Sequence, residues 1–267
     1  MRRYSLAYLT AASLSVPQML AAAAQLGYQT VGLRLHPNAP GAQHQPLLGD
    51  AAILREALAV QRDTGVGVFD LEIIRLAEGF DPEVYRPLLE AGAALGAKAV
   101  LVAGDDLVES RLTDSYARLC AFMQPFGMTA DLEFMPWTAV PNAQAALRIV
   151  TAAGRPANAG ILVDALHFAR SSSTLDDLRA IPHQLLHYAQ ACDAADGTGF
   201  STEQLIHTAR CERLLPGEGV IDVAAIFAAL PGDLPVSVEV PNHVRAPLVG
   251  DVAWSRLALV ATREICG

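Results

Sequence analysis

The sequence lacks the features that would place the protein in a membrane or outside the cell. No uninterrupted apolar run approaches the roughly 18 residues that a membrane-spanning helix requires. The N-terminal segment, in which Pro17 is followed by a helical pattern, does not have the form of a signal peptide. Only 4 cysteines are present and none lies in a CxxC pair, which argues against a disulfide framework or a zinc cluster. We therefore expect a cytoplasmic protein.

Positive charge is also scarce. The chain has 19 basic against 28 acidic residues, for a formal net charge of −9. Because a phosphate backbone is bound by a basic surface, this balance argues against a nucleic-acid partner and against an anionic membrane surface.

No GxGxxG follows the first predicted strand, no GxSxG marks a nucleophile, and no glycine-rich loop suits a phosphate group. A dinucleotide-binding enzyme and a serine hydrolase are therefore unsupported.

What is present is a regular alternation of short apolar runs with longer amphipathic runs. The apolar runs predict strands at 4–9, 30–35, 66–74, 98–103, 128–134, 160–164, 186–191 and 236–240. The amphipathic runs predict helices near 15–26, 50–64, 82–95, 112–124, 142–153, 174–181, 222–229 and 251–264. Strict alternation indicates parallel strands with crossover helices. Eight repeats predict an α/β fold, a single-domain (β/α)8 TIM barrel over residues 1–267, with an open doubly wound sheet as the alternative.

Two long segments interrupt this pattern, at 37–49 and 194–220, where glycine, proline and polar residues are frequent. Both segments follow predicted strands, so we expect them to be loops on the C-terminal face of the barrel. Barrel enzymes build their active sites on that face, which makes the C-terminal ends of the strands the place to look for chemistry.

Four consecutive late strands end in polar residues that core packing does not require. These residues are Glu133, Asp164, Gln190 and Glu239. A carboxylate in an apolar run is costly to bury without a partner, and neighbouring strands lie about 4.8 Å apart. The side chains are therefore expected to meet around one divalent metal ion, and their oxygen donors favour Mn2+ or Mg2+, with Zn2+ or Co2+ also able to fit. The alternative is that each acid belongs to a salt bridge or a hydrogen-bonded turn.

The segments around these residues resemble the sugar phosphate isomerase/epimerase superfamily, the xylose isomerase-like TIM barrels. The similar segments occur in the order of the family, at 132–136, 163–167, 188–193 and 238–241. The resemblance implies that the metal is held by the four strand-end residues, Glu133, Asp164, Gln190 and Glu239. Many members have histidine at the position of Gln190, but some relatives, including bacterial 3-dehydroshikimate dehydratases, have glutamine. Its amide oxygen favours Mn2+ or Mg2+ over Zn2+.

The same resemblance implies residues that contact the substrate. His167 stands three residues after Asp164, a spacing at which the family places a donor to a substrate hydroxyl; an ordinary loop histidine is the alternative. The family often places an arginine after the seventh strand to hold a substrate oxygen or carboxylate, a role that suits a guanidinium. Of Arg210 and Arg213 we favour Arg210, although either could instead pair with a neighbouring glutamate at the surface.

Strand position adds three further candidates for substrate binding. Arg34 ends the second predicted strand and Glu72 lies near the end of the third, where they would line the mouth of the barrel or form a purely structural ion pair. Trp137 follows the fifth strand and would either stack on the substrate or cover the rim. Asp193 is expected to orient a neighbouring residue of the site.

We therefore expect a metal-dependent isomerase or epimerase whose partner is a small polyhydroxylated carbonyl substrate, namely a sugar, keto-sugar or cyclitol. Glu133 and Glu239 would exchange protons as base and acid beside the carbonyl, and the metal would stabilise the enediolate as a Lewis acid.

The first alternative is a lyase of the 3-dehydroshikimate dehydratase kind, which forms the same enolate and then expels a hydroxyl. A further alternative is an AP endonuclease-like enzyme, but such an enzyme needs a basic groove, and the negative net charge argues against one. The last alternative is a barrel that binds a ligand without catalysis, but such a barrel would not need the three acids Glu133, Asp164 and Glu239. A homo-oligomer is compatible with the sequence.

Overall fold

Each strand of the molecule pairs in parallel with its neighbour in the chain, and the first strand pairs with the last. The computed structural model describes residues 2–39 and 41–267. The strands are β1 (Tyr4–Leu6), β2 (Thr30–Leu33), β3 (Gly67–Leu76), β4 (Ala99–Gly104), β5 (Thr129–Glu133), β6 (Ala159–Asp164), β7 (Ala189–Ala191) and β8 (Val236–Val238). They close into a barrel in chain order. The predicted single-domain (β/α)8 barrel is confirmed, and every predicted strand has a counterpart.

Helices connect the strands around the outside of the barrel. Those of the described residues are α1 (Val16–Leu26), α2 (Ala51–Thr64), α3 (Arg86–Leu95), α4 (Glu109–Met123), α5 (Ala143–Ala152), α6 (Ala165–Arg170), α7 (Leu175–Arg179), α8 (Thr202–Cys211), α9 (Val223–Ala228), α10 (Ala246–Val249) and α11 (Asp251–Cys266). Short 3-10 helices are formed by Tyr8–Ala11, Pro82–Tyr85, Gln124–Phe126 and His183–Leu185. None of these described helices is both long and apolar enough to cross a membrane.

Side-chain caps determine where several helices begin. The Ser15 hydroxyl accepts a hydrogen bond from the main-chain N–H of Gln18, whose side chain returns to the Ser15 N–H, and this capping box starts α1. Gly27, at a φ of 86°, ends the same helix in the left-handed conformation that glycine adopts without strain. Ser201 and Gln204 form an equivalent capping box at the start of α8.

The predicted loop at 194–220 is therefore wrong in its middle, because it contains α8. This helix carries mostly polar side chains, and Ala209 is its buried residue. The glycines and prolines at both ends of this segment suggest a loop, whereas the spacing of Ser201 and Gln204 is typical of the start of a helix. The short helices α6 and α10 were also not predicted, since each is shorter than two turns.

Two predicted strands are clearly longer than the observed ones. The first, 4–9, ends at Leu6, because the chain then turns into a 3-10 helix. The seventh, 186–191, begins only at Ala189. Tyr8 is fully buried although it lies outside the sheet. An apolar run reports burial and not hydrogen bonding between strands, so it cannot locate the point where pairing stops.

The apolar core has two layers. The larger layer lies between the strands and the helices. The smaller one lies inside the barrel and consists of Phe69, Ile73, Ala99, Leu101, Ala103, Met135, Leu162 and Tyr188. Because side chains fill a barrel of eight strands, its interior is packed and is not a pore. Functional side chains at the C-terminal strand ends therefore lie above a largely closed floor.

Candidate metal centre and active site

The four predicted strand-end residues meet at the C-terminal end of the barrel. Glu133 and Asp164 are the last residues of β5 and β6. Asp164 pairs in register with Gln190 of β7, and Glu239 directly follows β8. All four side chains are buried, and the Gln190 amide donates from Nε2 to Oε1 of Glu239 at 3.0 Å. The structure thus brings the predicted set together, while its role as a set of metal ligands stays a prediction.

Arg213 lies inside this cluster with only 2% of its surface exposed. Its Nη1 lies 2.5 Å from Oδ2 of Asp164, and its Nη2 lies 2.8 Å from Oε2 of Glu239. Its Nε donates to the carbonyl oxygen of Ala209 at 2.9 Å. Sequence reasoning preferred Arg210 and did not anticipate that Arg213 would bridge two of the acids. In the sequence, Arg213 is marked only by its position shortly before the turn at 216–219, which does not show where its side chain lies.

The loop that carries Arg213 is held by Asp193, which is fully buried. Oδ2 of Asp193 accepts hydrogen bonds from the main-chain N–H groups of Gly217 and Gly219 at 3.0 and 2.9 Å, and Oδ1 accepts one from Ile221 at 3.0 Å. A Cβ atom at Gly219 would lie 2.1 Å from the carbonyl oxygen of Ala194, so glycine is required for this close approach. Asp193 therefore contributes by fixing the backbone behind Arg213.

The three acids carry more negative charge than one guanidinium neutralises. Burial raises the pKa of Glu133 well above its ordinary value, and the nearby Asp164 and Glu239 raise it further. Burial also raises the pKa of Glu239, to about 8, although Arg213 opposes the shift. Burial alone would raise the pKa of Asp164 too, but Arg213 and His167 hold it below its ordinary value. The cluster thus favours either bound protons or an additional cation.

The donors of the cluster fit a hard divalent cation. The side-chain oxygen of Gln190, Oε1, is buried without a hydrogen-bond partner among the described residues. A buried acceptor without a hydrogen-bond partner is costly, and a bound cation would satisfy it. Carboxylate and amide oxygens are the ligands that Mn2+ and Mg2+ prefer.

His167 lies beside the buried acids, whereas the sequence predicted for it only a contact with a substrate hydroxyl. Its Nε2 lies 3.7 Å from Oε1 of Glu133, and its main-chain N–H donates to Oδ1 of Asp164 at 3.0 Å, because Asp164 caps the first turn of α6. Donor atoms of Glu133, Asp164 and His167 lie within 4.8 Å of one another and could hold a metal ion. Burial lowers the pKa of His167 to about 4, so its ring is neutral near pH 7. A neutral ring can serve either as a metal ligand or as a hydrogen-bond partner of the substrate.

One cavity lies above the carboxylate cluster, and the predicted substrate-binding residues all line it: Arg34, Glu72, Trp137, His167 and Arg210. Arg34 and Glu72 line the cavity and also form an ion pair, with 3.1 Å between Nη2 and Oε1, while their contact with a substrate stays a prediction. The ring of Trp137 meets the ring of His167 edge to face, with 4.9 Å between the centroids. Glu133, Arg213 and Glu239 reach the same space.

Fold and site together define an eight-stranded α/β barrel with buried acids at the C-terminal ends of its late strands, the face on which barrel enzymes carry out their chemistry. The family model described as Xylose isomerase-like TIM barrel matches residues 20–258. The match covers most of the chain, and the protein belongs to this family. The family resemblance drawn from the strand-end motifs is confirmed.

Several solved structures have the same fold. A zinc-bound IolI protein is 18% identical over 99% of this chain and 98% of that one, with a TM-score of 0.81. D-allulose 3-epimerase from Methylomonas sp., in complex with D-allulose, is 15% identical over 99% and 97% of the two chains, with a TM-score of 0.70. The probable 3-DHS dehydratase AsbF from Bacillus anthracis is 14% identical over 98% and 99%, with a TM-score of 0.74. A comparison with curated proteins finds no match.

Proposed function

We propose that the protein is a metal-dependent enzyme that moves a proton at the carbon beside a carbonyl group of a small polyhydroxylated substrate. The observation that carries this proposal is the buried cluster in which one guanidinium, that of Arg213, faces the carboxyl groups of Glu133, Asp164 and Glu239. Such a cluster needs a further cation to be fully ionised. The oxygens of the cluster favour Mn2+ or Mg2+, and Zn2+ and Co2+ would also fit; zinc is named for the IolI structure.

Glu133 and Glu239 are the proposed acid and base. Glu133 ends β5 and Glu239 directly follows β8, with Asp164 and Gln190 on the two strands between them, and both glutamates line the cavity. A divalent ion held by the cluster would polarise the substrate carbonyl and stabilise the enediolate. One glutamate removes the proton from the carbon next to the carbonyl, and the other returns a proton. The neutral His167 binds a substrate hydroxyl, and Trp137 covers the cavity beside it.

What happens after proton removal decides the reaction class. Return of the proton to the same or a neighbouring carbon gives an isomerase or epimerase, and the D-allulose complex of a neighbour with this fold supports that class. Loss of a hydroxyl group beside the enolate gives a lyase. Gln190 favours this second candidate, because relatives with glutamine include 3-dehydroshikimate dehydratases, and a probable 3-DHS dehydratase has the same fold.

NMR in D2O separates the two classes. The protein, loaded with Mg2+ because Mn2+ broadens the signals, is incubated with ketoses, inosose-type cyclitols and 3-dehydroshikimate. A new stereoisomer or positional isomer assigns an isomerase, and the appearance of aromatic signals from 3-dehydroshikimate assigns a lyase. The Glu133→Gln variant should lose the reaction. Glu264→Gln makes the same change at an exposed glutamate on α11, serves as the matched control and should retain the reaction. Failure of every compound to exchange or react while one metal ion is bound per chain would contradict the proposal.

A cytoplasmic location and assembly into a homo-oligomer remain predictions from the sequence. Neither a nucleic acid nor a membrane is expected as a partner, in keeping with the net charge of −9. Size-exclusion chromatography with light scattering would determine the assembly state directly.

A further inference from the structure

One side of the barrel interior, below the carboxylate cluster, is lined by small residues. Ser237 lies two residues before Glu239, which lines the cavity, and side chains alternate between the two faces of a strand, so Ser237 also points into the barrel. Ser5 of β1 pairs in register with Ser237, and its side chain therefore lies on the same inner face. Gly32 of β2 lies two residues before the cavity-lining Arg34 and is inward for the same reason. Serine and glycine are smaller than the phenylalanine, tyrosine and leucine residues of the inner apolar layer.

Asp70 of β3 places its carboxyl group in the space that Gly32 leaves. The two residues pair in register, and a Cβ atom at Gly32 would lie 2.7 Å from Oδ1 and 2.9 Å from Oδ2 of Asp70. Any side chain at position 32 would therefore displace the carboxyl group, and glycine permits this close approach. Asp70 is only 1% exposed, so its carboxyl group is shielded from solvent.

Asp70 differs from the neighbouring buried acids because no basic side chain balances it. Glu72 pairs with Arg34 at 3.1 Å, and Asp131 lies 2.6 Å from Nδ1 of His187. Within the described part of the chain Asp70 forms no ion pair, and its Oδ1 has no hydrogen-bond partner. Burial raises the pKa of Asp70 well above its ordinary value, and the negative charges of Glu72 and Asp131 raise it further. A carboxyl group in such a place either keeps a proton or needs a cation.

Three buried hydroxyl groups in the barrel interior also have no hydrogen-bond partner among the described residues. They are Oγ of Ser5, Oγ of Ser237 and the phenolic oxygen of Tyr188. Burial raises the pKa of Tyr188 well above its ordinary value, and the negative charge of Asp70 raises it further, so this hydroxyl lies near Asp70. Leaving even one buried polar group without a partner is costly, and four in one region indicate a bound species. We call these four residues the interior polar group: Ser5, Asp70, Tyr188 and Ser237.

We propose that the interior polar group binds one monovalent cation, Na+ or K+, inside the barrel. A single positive charge matches the single carboxylate of Asp70, whereas a divalent ion would leave an uncompensated charge in the interior. Carboxylate and hydroxyl groups supply only oxygen donors, which suit a hard cation. The site shares no side chain with the strand-end cluster of Glu133, Asp164, Gln190 and Glu239, so it does not depend on the proposed function.

The ion would connect strands that carry the strand-end cluster with strands on the other side of the barrel. Ser237 pairs in register with Gln190 of β7 and with Ser5 of β1, and Asp70 reaches the same region from β3. An ion bound to all of them therefore stabilises the closed barrel directly below the strand-end cluster.

Thermal unfolding in three chloride salts tests the inference. The parent protein is unfolded at pH 8 with a chelator of divalent ions, while tetramethylammonium is replaced by K+ or Na+ at constant total chloride. An ion that binds only the folded state stabilises it in proportion to the logarithm of the ion concentration. Raising K+ or Na+ about a hundredfold should therefore raise the Tm by about 5 °C. Tetramethylammonium is too large for the barrel interior and should have no such effect.

Variants connect the effect to the interior polar group. Asp70→Asn keeps the shape of the side chain but removes its charge, so the Tm of this variant should no longer depend on the cation. Asp63→Asn makes the same change at an exposed position on α2 and should retain the dependence. Ser237→Ala removes one hydroxyl donor and should weaken the affinity for the ion about tenfold, which tests the site even if Asp70→Asn does not fold.

A crystal grown with Tl+, a heavy substitute for K+, locates the ion directly. Anomalous scattering beside the carboxyl group of Asp70 would support the inference. The same Tm in all three salts, or a cation dependence that persists in Asp70→Asn, would overturn it and favour a protonated Asp70 with bound water. Anomalous scattering found only at the strand-end cluster would also overturn it.

Discussion

The guanidinium of Arg213 contacts the carboxylate of Glu239, with 2.8 Å between Nη2 and Oε2. The same guanidinium contacts Asp164, so a single positive charge links the ends of β6 and β8 at a fully buried position. Breaking a buried ion pair from one side is far costlier than its net contribution suggests, because the remaining charges stay in the interior without a partner.

Removal of Arg213 should therefore destabilise the metal-free protein strongly. We expect Arg213→Gln to lower the free energy of unfolding by about 3–5 kcal/mol, measured by urea denaturation in a chelating buffer. Arg118→Gln, an exposed change of the same charge, is the control and should leave stability nearly unchanged. Equal stability of the two variants would mean that Arg213 is not the counter-charge of the cluster.

Metal affinity should increase as the pH rises. Burial raises the pKa of Glu239 to about 8 and also raises that of Glu133, so binding of a cation must displace protons. Below pH 8 the apparent Kd for Mn2+ should weaken by about tenfold per pH unit for each displaced proton. Calorimetry between pH 6 and 8, in two buffers with different ionisation enthalpies, measures both the Kd and the protons released. A Kd that does not change over this range would show that the carboxyls are already ionised without metal.

The metal-free protein should become less stable over the same pH range. A carboxyl whose pKa is higher in the folded than in the unfolded state gives stability that is complete below its unfolded pKa and is lost as the pH rises through the folded pKa. For Glu239 this window runs from 4.5 to about 8. Thermal unfolding in chelator should therefore show a lower Tm at pH 8 than at pH 5, and saturating Mn2+ should restore most of the difference at pH 8. A Tm that rises toward pH 8 without metal would contradict the sign of the shift.

Gln190 should act as a donor to the metal. Its Oε1 is buried without a partner among the described residues, and its Nε2 is already used by Glu239. Gln190→His should retain metal and raise the affinity for Zn2+, because imidazole suits that ion. Gln190→Leu removes the donor and should weaken Mn2+ binding clearly, as elemental analysis after dialysis would reveal. If Gln190→Leu retained Mn2+ as well as the parent, the ligand assignment would be wrong and the set of Glu133, Asp164 and His167 would be favoured.

The positions of the acids could be predicted because they depend on a local pattern. Glu133 and Asp164 follow apolar runs, and parallel strands bring their C-terminal ends together in any barrel. Arg213 could not be predicted in the same way, since its place depends on Asp193, whose carboxylate holds main-chain groups 24 to 28 residues away. The approach of His167 to Glu133 depends on the short helix α6, which has too few residues to show a period.

The central claim is that Glu133 and Glu239 move a proton at the carbon beside the substrate carbonyl. The most direct test follows deuterium uptake at that carbon by NMR in D2O, with the parent, Glu133→Gln and Glu239→Gln compared at equal Mg2+ occupancy. The account predicts that the parent incorporates deuterium before net product accumulates and that each variant slows turnover by about 10²- to 10⁴-fold, with no recovery at excess metal. Rapid conversion of substrate without deuterium uptake, or full recovery of Glu239→Gln at high Mg2+, would contradict the two-glutamate mechanism.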